Sequence, residues 1–100
     1  MTERHGDPRF YQLLDEIAAL HSRKNHDYAR TDSPLSNFHR AEAFGVEAWR
    51  GVLVRMSDKF ARLEQLSTGK TPQNESMRDS LIDLAVYALI CVLLREDAQA

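Results

Sequence analysis

Apolar residues recur at helical spacing along most of this chain. Near the start, five apolar residues follow the i, i+3, i+4, i+7 pattern of one helix face: Phe10, Leu13, Leu14, Ile17 and Leu20. Asp7 is a good N-cap, and Pro8 suits the first helical position. The pattern predicts a helix over about residues 8–23. The polar segment from Asn25 to Leu35 contains Asp32-Ser33-Pro34 and is predicted to be a loop.

Three more helices follow from the same rules. Ser36 can cap a short helix that Gly45 ends. A long helix over about residues 46–67 carries six apolar residues at steps of three and four, which we expect to face the core: Val46, Trp49, Leu53, Met56, Phe60 and Leu63. Gly69 and Pro72 end this helix. Asn74 caps a last helix over about residues 75–95.

The pattern predicts an all-α protein. No alternation of apolar and polar residues longer than four positions, as a half-buried strand would show, occurs in the sequence. We predict a small bundle of three long helices and one short helix. Residues 1–100 form one domain, with residues 1–7 and 96–100 as loose ends.

The last helix is apolar on every side. Residues 81–94 contain no charge except Asp83, and this run of 14 residues is shorter than the roughly 20 that a membrane span needs. A chain of 100 residues is too short to cover such a helix on all sides. We therefore expect the chain to form a homodimer or homotetramer.

Composition and charge exclude several classes of protein. Lys and Arg number 13 and Asp and Glu number 15, so the net charge of −2 gives no basic field for holding nucleic acid. The charged N-terminus shows no signal peptide, and we expect a cytoplasmic protein without membrane contact. A single cysteine, Cys91, excludes an internal disulfide.

Three carboxylates are spaced four residues apart on the last helix. Glu75, Asp79 and Asp83 therefore project from one side of it. The neighbours of Asp83 along the chain are apolar, and an unpaired buried carboxylate costs several kcal/mol. A basic side chain or a metal ion must compensate Asp83, and the sequence leaves these two alternatives equally open.

The long middle helix has a polar face of its own, with Arg55, Asp58, Lys59 and Arg62. In one interpretation this face is solvated and held by pairs such as Asp58 with Arg62. In the other, the helix packs antiparallel to the last one and brings Asp58 to Asp79 and Asp83. Carboxylates grouped in this way need a cation, and their oxygen ligands suit Mg²⁺.

Two long segments resemble a known family. RMSDKFARLEQL (residues 55–66) and ESMRDSLIDLAVYALI (residues 75–90) are similar to the MazG-like all-α NTP pyrophosphatases. Within them, the chain is closest to the phage nucleotide-modification-associated domain. KNHDYAR (residues 24–30) and SNF (residues 36–38) resemble that branch as well. The resemblance covers about residues 10–94.

The resemblance implies an enzyme that uses Mg²⁺, with Mn²⁺ as an alternative, to hydrolyse an NTP, a dNTP or a modified dNTP to the monophosphate and pyrophosphate. It makes Asp58 and Glu75 the catalytic residues. The metal ligands that it implies are carboxylates: Asp58, Glu75, Asp79 and Asp83. The implied substrate-binding residues are Lys24, Asp27, Tyr28, Asn37, Phe38, Arg55, Lys59 and Arg62.

The chain departs from the wider superfamily at the usual E-x-x-E and E-x-x-D pairs. Its middle helix has Arg55 three residues before Asp58, and Glu75 and Asp79 are four apart. With fewer acids, a second function is open: a non-catalytic nucleotide-binding module that serves as a sensor, a sponge or an accessory to nucleotide modification.

Overall fold

A computed structural model of the chain describes residues 3–28, 33–71 and 76–99, and in these residues the fold is all-helical. The helices are α1 (Pro8–Tyr28), the 3₁₀ helix η1 (Ser36–Phe44), α2 (Ala48–Ser67) and α3 (Met77–Gln99). Three long helices and one short one confirm the predicted architecture. In the described residues, no helix is both long enough and apolar enough to cross a membrane.

Helix α1 begins where the sequence predicts and ends later. The Asp7 Oδ1 atom accepts a hydrogen bond from the backbone N–H of Arg9 at 2.9 Å, which confirms the predicted cap. The helix continues to Tyr28, so the prediction that the loop starts at Asn25 is wrong. Polar residues do not end a helix by themselves, and the first strong breaker, Pro34, comes later.

Helix η1 has the predicted bounds but a different start. The backbone N–H of Phe38 bonds to the Leu35 carbonyl at 3.0 Å, as in a 3₁₀ helix. Leu35 is the N-cap and no side chain caps this end, so the prediction that Ser36 caps it is wrong. Gly45 ends the helix with φ of 78°, a left-handed conformation that glycine adopts without strain, as predicted.

Helices α2 and α3 pack antiparallel. The Cys91 thiol donates to the Trp49 carbonyl at 3.6 Å near the start of α2, while Lys59, further along α2, reaches Asp83, nearer the start of α3. Gly51 lies where α2 crosses η1: a Cβ atom there would stand 3.0 Å from the Ala41 Cβ. The missing side chain therefore permits the close approach of these two elements.

The first turn of α3 is closed by Ser76. Its Oγ accepts from the Asp79 N–H at 3.1 Å, and Asp79 Oδ2 accepts from the Ser76 N–H at 3.4 Å, a reciprocal capping arrangement. The predicted cap, Asn74, lies outside the described residues. The helix runs to Gln99, four residues past the predicted end, so residues 96–99 are helical.

The core lies between η1, α2 and α3. Its buried members are Phe38, Ala48, Val52, Ile90 and Leu94. Trp49 and Met56 pack against this core as predicted, but Val46, Leu53 and Phe60 are exposed. The predicted core-facing set of α2 is therefore wrong for these three residues. The helix is turned so that Val52, rather than its neighbour Leu53, points inward.

Candidate functional site

A cavity of about 410 Å³ opens where all four helices meet, and we call it the central cavity. Its walls come from α1, η1, α2 and α3, so residues far apart in sequence face one another across it. Five of the predicted site residues line it: Lys24, Asn37, Phe38, Arg55 and Asp83. The volume falls in the range of small-molecule sites.

Asp83 is compensated by lysines. Its Oδ2 lies 2.9 Å from the Lys59 Nζ atom, and its Oδ1 lies 3.5 Å from the Lys24 Nζ atom. The Asp83 side chain is 20% exposed, so these ion pairs offset much of the cost of removing the carboxylate from water. The sequence leaves open whether a basic side chain or a metal ion compensates Asp83. In the described residues, two lysines pair with it.

The central cavity carries an excess of positive charge. Among the described residues, Lys24, Arg40 and Arg55 line it and Asp83 supplies one carboxylate. The Arg55 guanidinium carbon stands 5.2 Å from the centre of the Phe38 ring, within the range of a cation–π contact. This contact keeps the Arg55 side chain beside Phe38, which lines the cavity and also belongs to the core. Such a surface attracts anions.

Two asparagines add uncharged polar groups to the wall. The Asn25 side chain donates a hydrogen bond to the Pro34 carbonyl, which ties the end of α1 to the segment before η1. The Asn37 Oδ1 atom is buried and has no hydrogen-bond partner among the described residues. An unsatisfied acceptor of this kind costs roughly 1–3 kcal/mol, and a donor on a ligand or a water would relieve it.

A second cavity of about 310 Å³ shares a wall with the central cavity. Lys24 and Asp83 line both, so their ion pair lies at the boundary. Among the described residues, three carboxylates line the second cavity, Glu16, Asp79 and Asp83, together with three cations, Arg23, Lys24 and Arg78. Arg78 Nη2 donates to Glu16 Oε2 at 2.8 Å, and this bond raises the pKa of the Arg78 guanidinium. The pair joins α1 to α3.

Other predicted site residues lie apart from the central cavity or outside the described part. Asp58 is exposed on α2 and lines neither cavity, and Arg62 is half-buried on α2 without lining either. Glu75 lies outside the described residues. Asp27 and Tyr28 form the last turn of the α1 backbone, and their side chains lie outside the described part.

Mg²⁺ takes oxygen ligands, and the carboxylates near Asp83 are the side chains that could supply them. In residues 3–28, 33–71 and 76–99 no three His, Cys, Asp or Glu side chains group closely enough to hold a metal ion. Mg²⁺, however, commonly takes one or two protein carboxylates and completes its shell with water and substrate phosphates. Asp79 and Asp83 lie one turn apart and line the same cavity, so a Mg²⁺ ion bound there would have these two carboxylates as its protein ligands.

Several lining residues were not predicted as site residues from the sequence. They share the central cavity with the predicted residues: Leu20, His21, Asn25, Arg40, Val86, Tyr87 and Ile90. Some could have been found by helical spacing, because Leu20 precedes Lys24 by four residues and Tyr87 follows Asp83 by four. No helical spacing to a predicted site residue indicated Arg40, because its position at the cavity depends on how η1 packs against the other helices.

Trp49 lies at a different surface. Its indole N–H donates to Glu47 Oε2 at 2.9 Å, and the guanidinium groups of Arg50 and Arg95 lie 4.3 and 4.9 Å from its ring centre. The bonds from Trp49 and Arg50 lower the pKa of the Glu47 carboxyl. Trp49 is half-buried and lines neither of the two cavities described above.

Comparison with known proteins adds no relative: the chain matches no family model, no curated protein and no solved structure.

Proposed function

We propose that this protein binds a nucleotide in the central cavity, with the phosphates at its basic wall. The observation that carries the proposal is the pairing of Asp83 with Lys59 and Lys24 beside Arg55 and Arg40. A cluster with more cations than carboxylates supports the binding of an anion. Phosphates would draw on these side chains through charge-assisted hydrogen bonds.

The rest of the wall suits the less charged part of a nucleotide. Phe38, Val86 and Tyr87 offer apolar and aromatic surface, and Asn37 offers an amide. Ligand sites typically combine a largely apolar lining with a few polar groups that fix orientation. This mixture favours a nucleotide over a bare inorganic anion.

A second candidate function is Mg²⁺-dependent hydrolysis of the nucleotide to its monophosphate and pyrophosphate, as the family resemblance implies. The carboxylates of Asp79 and Asp83, one turn apart on the wall of the adjoining cavity, favour it. Asp79 and Asp83 would hold Mg²⁺, or Mn²⁺ in its place, and the ion would neutralise charge on the phosphates. Lys24, which lines both cavities, would then contact the same phosphates.

An assay with a panel of NTPs and dNTPs separates the two functions. Calorimetry measures binding with and without Mg²⁺, and chromatography resolves monophosphate from diphosphate products. Binding with the nucleotide left intact supports the binding module. Monophosphate and pyrophosphate in equal amounts support the enzyme. The absence of binding for the whole panel would overturn the proposal.

Two variants on α3 test the role of Asp83 in metal dependence. If Mg²⁺ strengthens nucleotide binding through Asp83, D83N should lose this enhancement. Asp97 lies on the same helix and lines neither of the two cavities, so D97N is the matched control and should keep it. An equal enhancement in both variants would contradict a metal role for Asp83. Circular dichroism checks that both variants keep their helices.

The proposal includes assembly and location. We propose that the chain acts as a homodimer or a homotetramer, because α3 carries more apolar surface than one chain covers. The cytoplasm as its location, and the lack of nucleic-acid binding, stay predictions from composition.

A further inference from the structure

His21 lies on the wall of the central cavity beside two residues that are fixed there by contacts. It is half-buried on α1, three residues before Lys24 and four before Asn25, so the three side chains leave the same face of the helix. Lys24 pairs with Asp83 on α3, and Asn25 donates a hydrogen bond to the Pro34 carbonyl. Because these two contacts hold that face of α1 at the wall, the imidazole of His21 is held at the cavity as well.

The imidazole of His21 differs from these neighbours in its hydrogen bonding. No hydrogen bond or ion pair joins it to another residue within 3–28, 33–71 or 76–99. His39, by contrast, is paired with Glu42 and lines a different cavity, beside Trp49. A polar group that is partly removed from water costs free energy unless a water or a ligand bonds to it. The ring nitrogens of His21 are therefore available to a ligand in the central cavity.

The groups that line the cavity with His21 favour an anion as its ligand. In the described part of the chain, the charged and titratable ones come from all four helices: Lys24, Arg40, Arg55, Asp83 and Tyr87. Three of these are cations, and the carboxylate of Asp83 is already paired with two lysines. An anion attracted to this wall therefore meets an imidazole that has no carboxylate of its own among the described residues.

We propose that His21 binds a phosphate group of the nucleotide as an imidazolium, so that the protein takes up a proton when the nucleotide binds. This inference rests on the proposed function and makes the proton a second ligand of the same site. Histidine is the side chain type that changes charge between about pH 5 and 8, and an adjacent anion favours its charged form. By linkage, a nucleotide that promotes protonation binds more tightly as the pH falls. The pH therefore regulates the affinity of the central cavity.

Calorimetry of the full chain measures this proton directly. Each nucleotide of the NTP and dNTP panel is titrated near pH 7 in two buffers with different enthalpies of ionisation, and the difference in binding enthalpy gives the protons taken up. A phosphate group itself titrates at about pH 6, so the contribution of His21 is the uptake of the wild type minus that of H21Q. We expect this difference to be positive. H39Q changes a histidine at the other cavity and should match the wild type.

The affinity should follow the same variants. From about pH 8 to about pH 6, the affinity of the wild type for the nucleotide should rise about tenfold more than that of H21Q, because only the wild type gains a charged donor at this position. H21K carries a fixed charge there and should bind the nucleotide without the additional proton. This second variant keeps the test decisive if H21Q fails to fold, which circular dichroism detects.

The outcomes separate this inference from the proposed function. If the wild type binds a nucleotide but takes up no more protons than H21Q or H21K, His21 does not bind a phosphate as an imidazolium, and the inference is overturned while nucleotide binding stands. A loss of affinity in H21Q that is the same at every pH would place His21 against the base or the sugar and would overturn the inference as well. The absence of binding by the wild type across the whole panel would overturn both.

Discussion

The two faces of α3 are both rich in apolar residues, yet they have different surroundings. The inner face packs Ile90 and Leu94 into the core and holds Asp83 between two lysines. The outer face leaves Leu81, Leu89 and Val92 about half exposed. Hydrophobicity alone therefore does not say which face of this helix is covered within one chain.

The same comparison separates two aspartates one turn apart. Asp83 lies on the inner face and needs the ammonium groups of Lys59 and Lys24. Asp79 is exposed and makes its hydrogen bonds with Ser76 at the start of the helix. Two aspartates one turn apart thus differ in their partners: Asp83 pairs with lysines of two other helices, whereas Asp79 caps its own helix. Four predictions test the contrast between the inner face and surfaces outside it.

The largest effect is expected from a truncation on the inner face. Ile90 is 4% exposed, and I90A should lower the free energy of unfolding by about 2–4 kcal/mol, because it leaves a cavity in the core. L89A, at the adjacent position on the outer side, should cost less than about 1 kcal/mol in dilute solution. Urea denaturation followed by circular dichroism measures both. A larger cost for L89A than for I90A would reverse the comparison.

The two lysines at Asp83 should differ in their contribution to stability. K59M removes the closer and more buried partner and should cost about 1–2 kcal/mol. K24M removes a partner that is 54% exposed and 3.5 Å away, so a few tenths of a kcal/mol are expected. Equal costs in the same denaturation experiment would mean that the shorter contact does not dominate.

Arg55 should matter for ligand binding more than an arginine in a similar contact elsewhere. R55M removes a cation from the wall of the central cavity and should weaken nucleotide binding about tenfold, or about 1.4 kcal/mol. Arg50 also lies over an aromatic ring, that of Trp49, but does not line the cavity. R50M is therefore the control, and calorimetry should find its affinity unchanged.

The smallest effect concerns acid stability near Trp49. Hydrogen bonds lower the pKa of Glu47 in the folded chain. The ionised carboxylate therefore stabilises the folded state at pH values above 4.5, the ordinary pKa of this group. That stability is lost as the pH falls through the lowered pKa. Below pH 4.5, the melting temperature of E47Q should therefore fall less steeply with decreasing pH than that of the wild type. W49F removes the indole N–H, whose hydrogen bond lowers the pKa of Glu47 the most, and should weaken this pH dependence as well.

Local rules allowed much of the helical pattern to be predicted. Asp7 begins α1 and Gly45 ends η1 because a side-chain acceptor and a left-handed glycine act on their immediate neighbours. The sequence also indicated that Asp83 requires compensation, since its apolar neighbours exclude a freely solvated carboxylate. Five of the site residues that the family resemblance implied do line one cavity, although they come from four different helices and only packing brings them together.

The tertiary structure decided what depends on packing between helices. Val52 rather than Leu53 faces the core because the rotation of α2 is set by η1 and α3 together, through contacts such as Gly51 against Ala41. The partners of Asp83 come from α1 and α2, far away in sequence, and their choice follows from how the helices cross. The sequence by itself determined that α3 is apolar on both faces, whereas which face one chain covers follows from the arrangement of the other three helices.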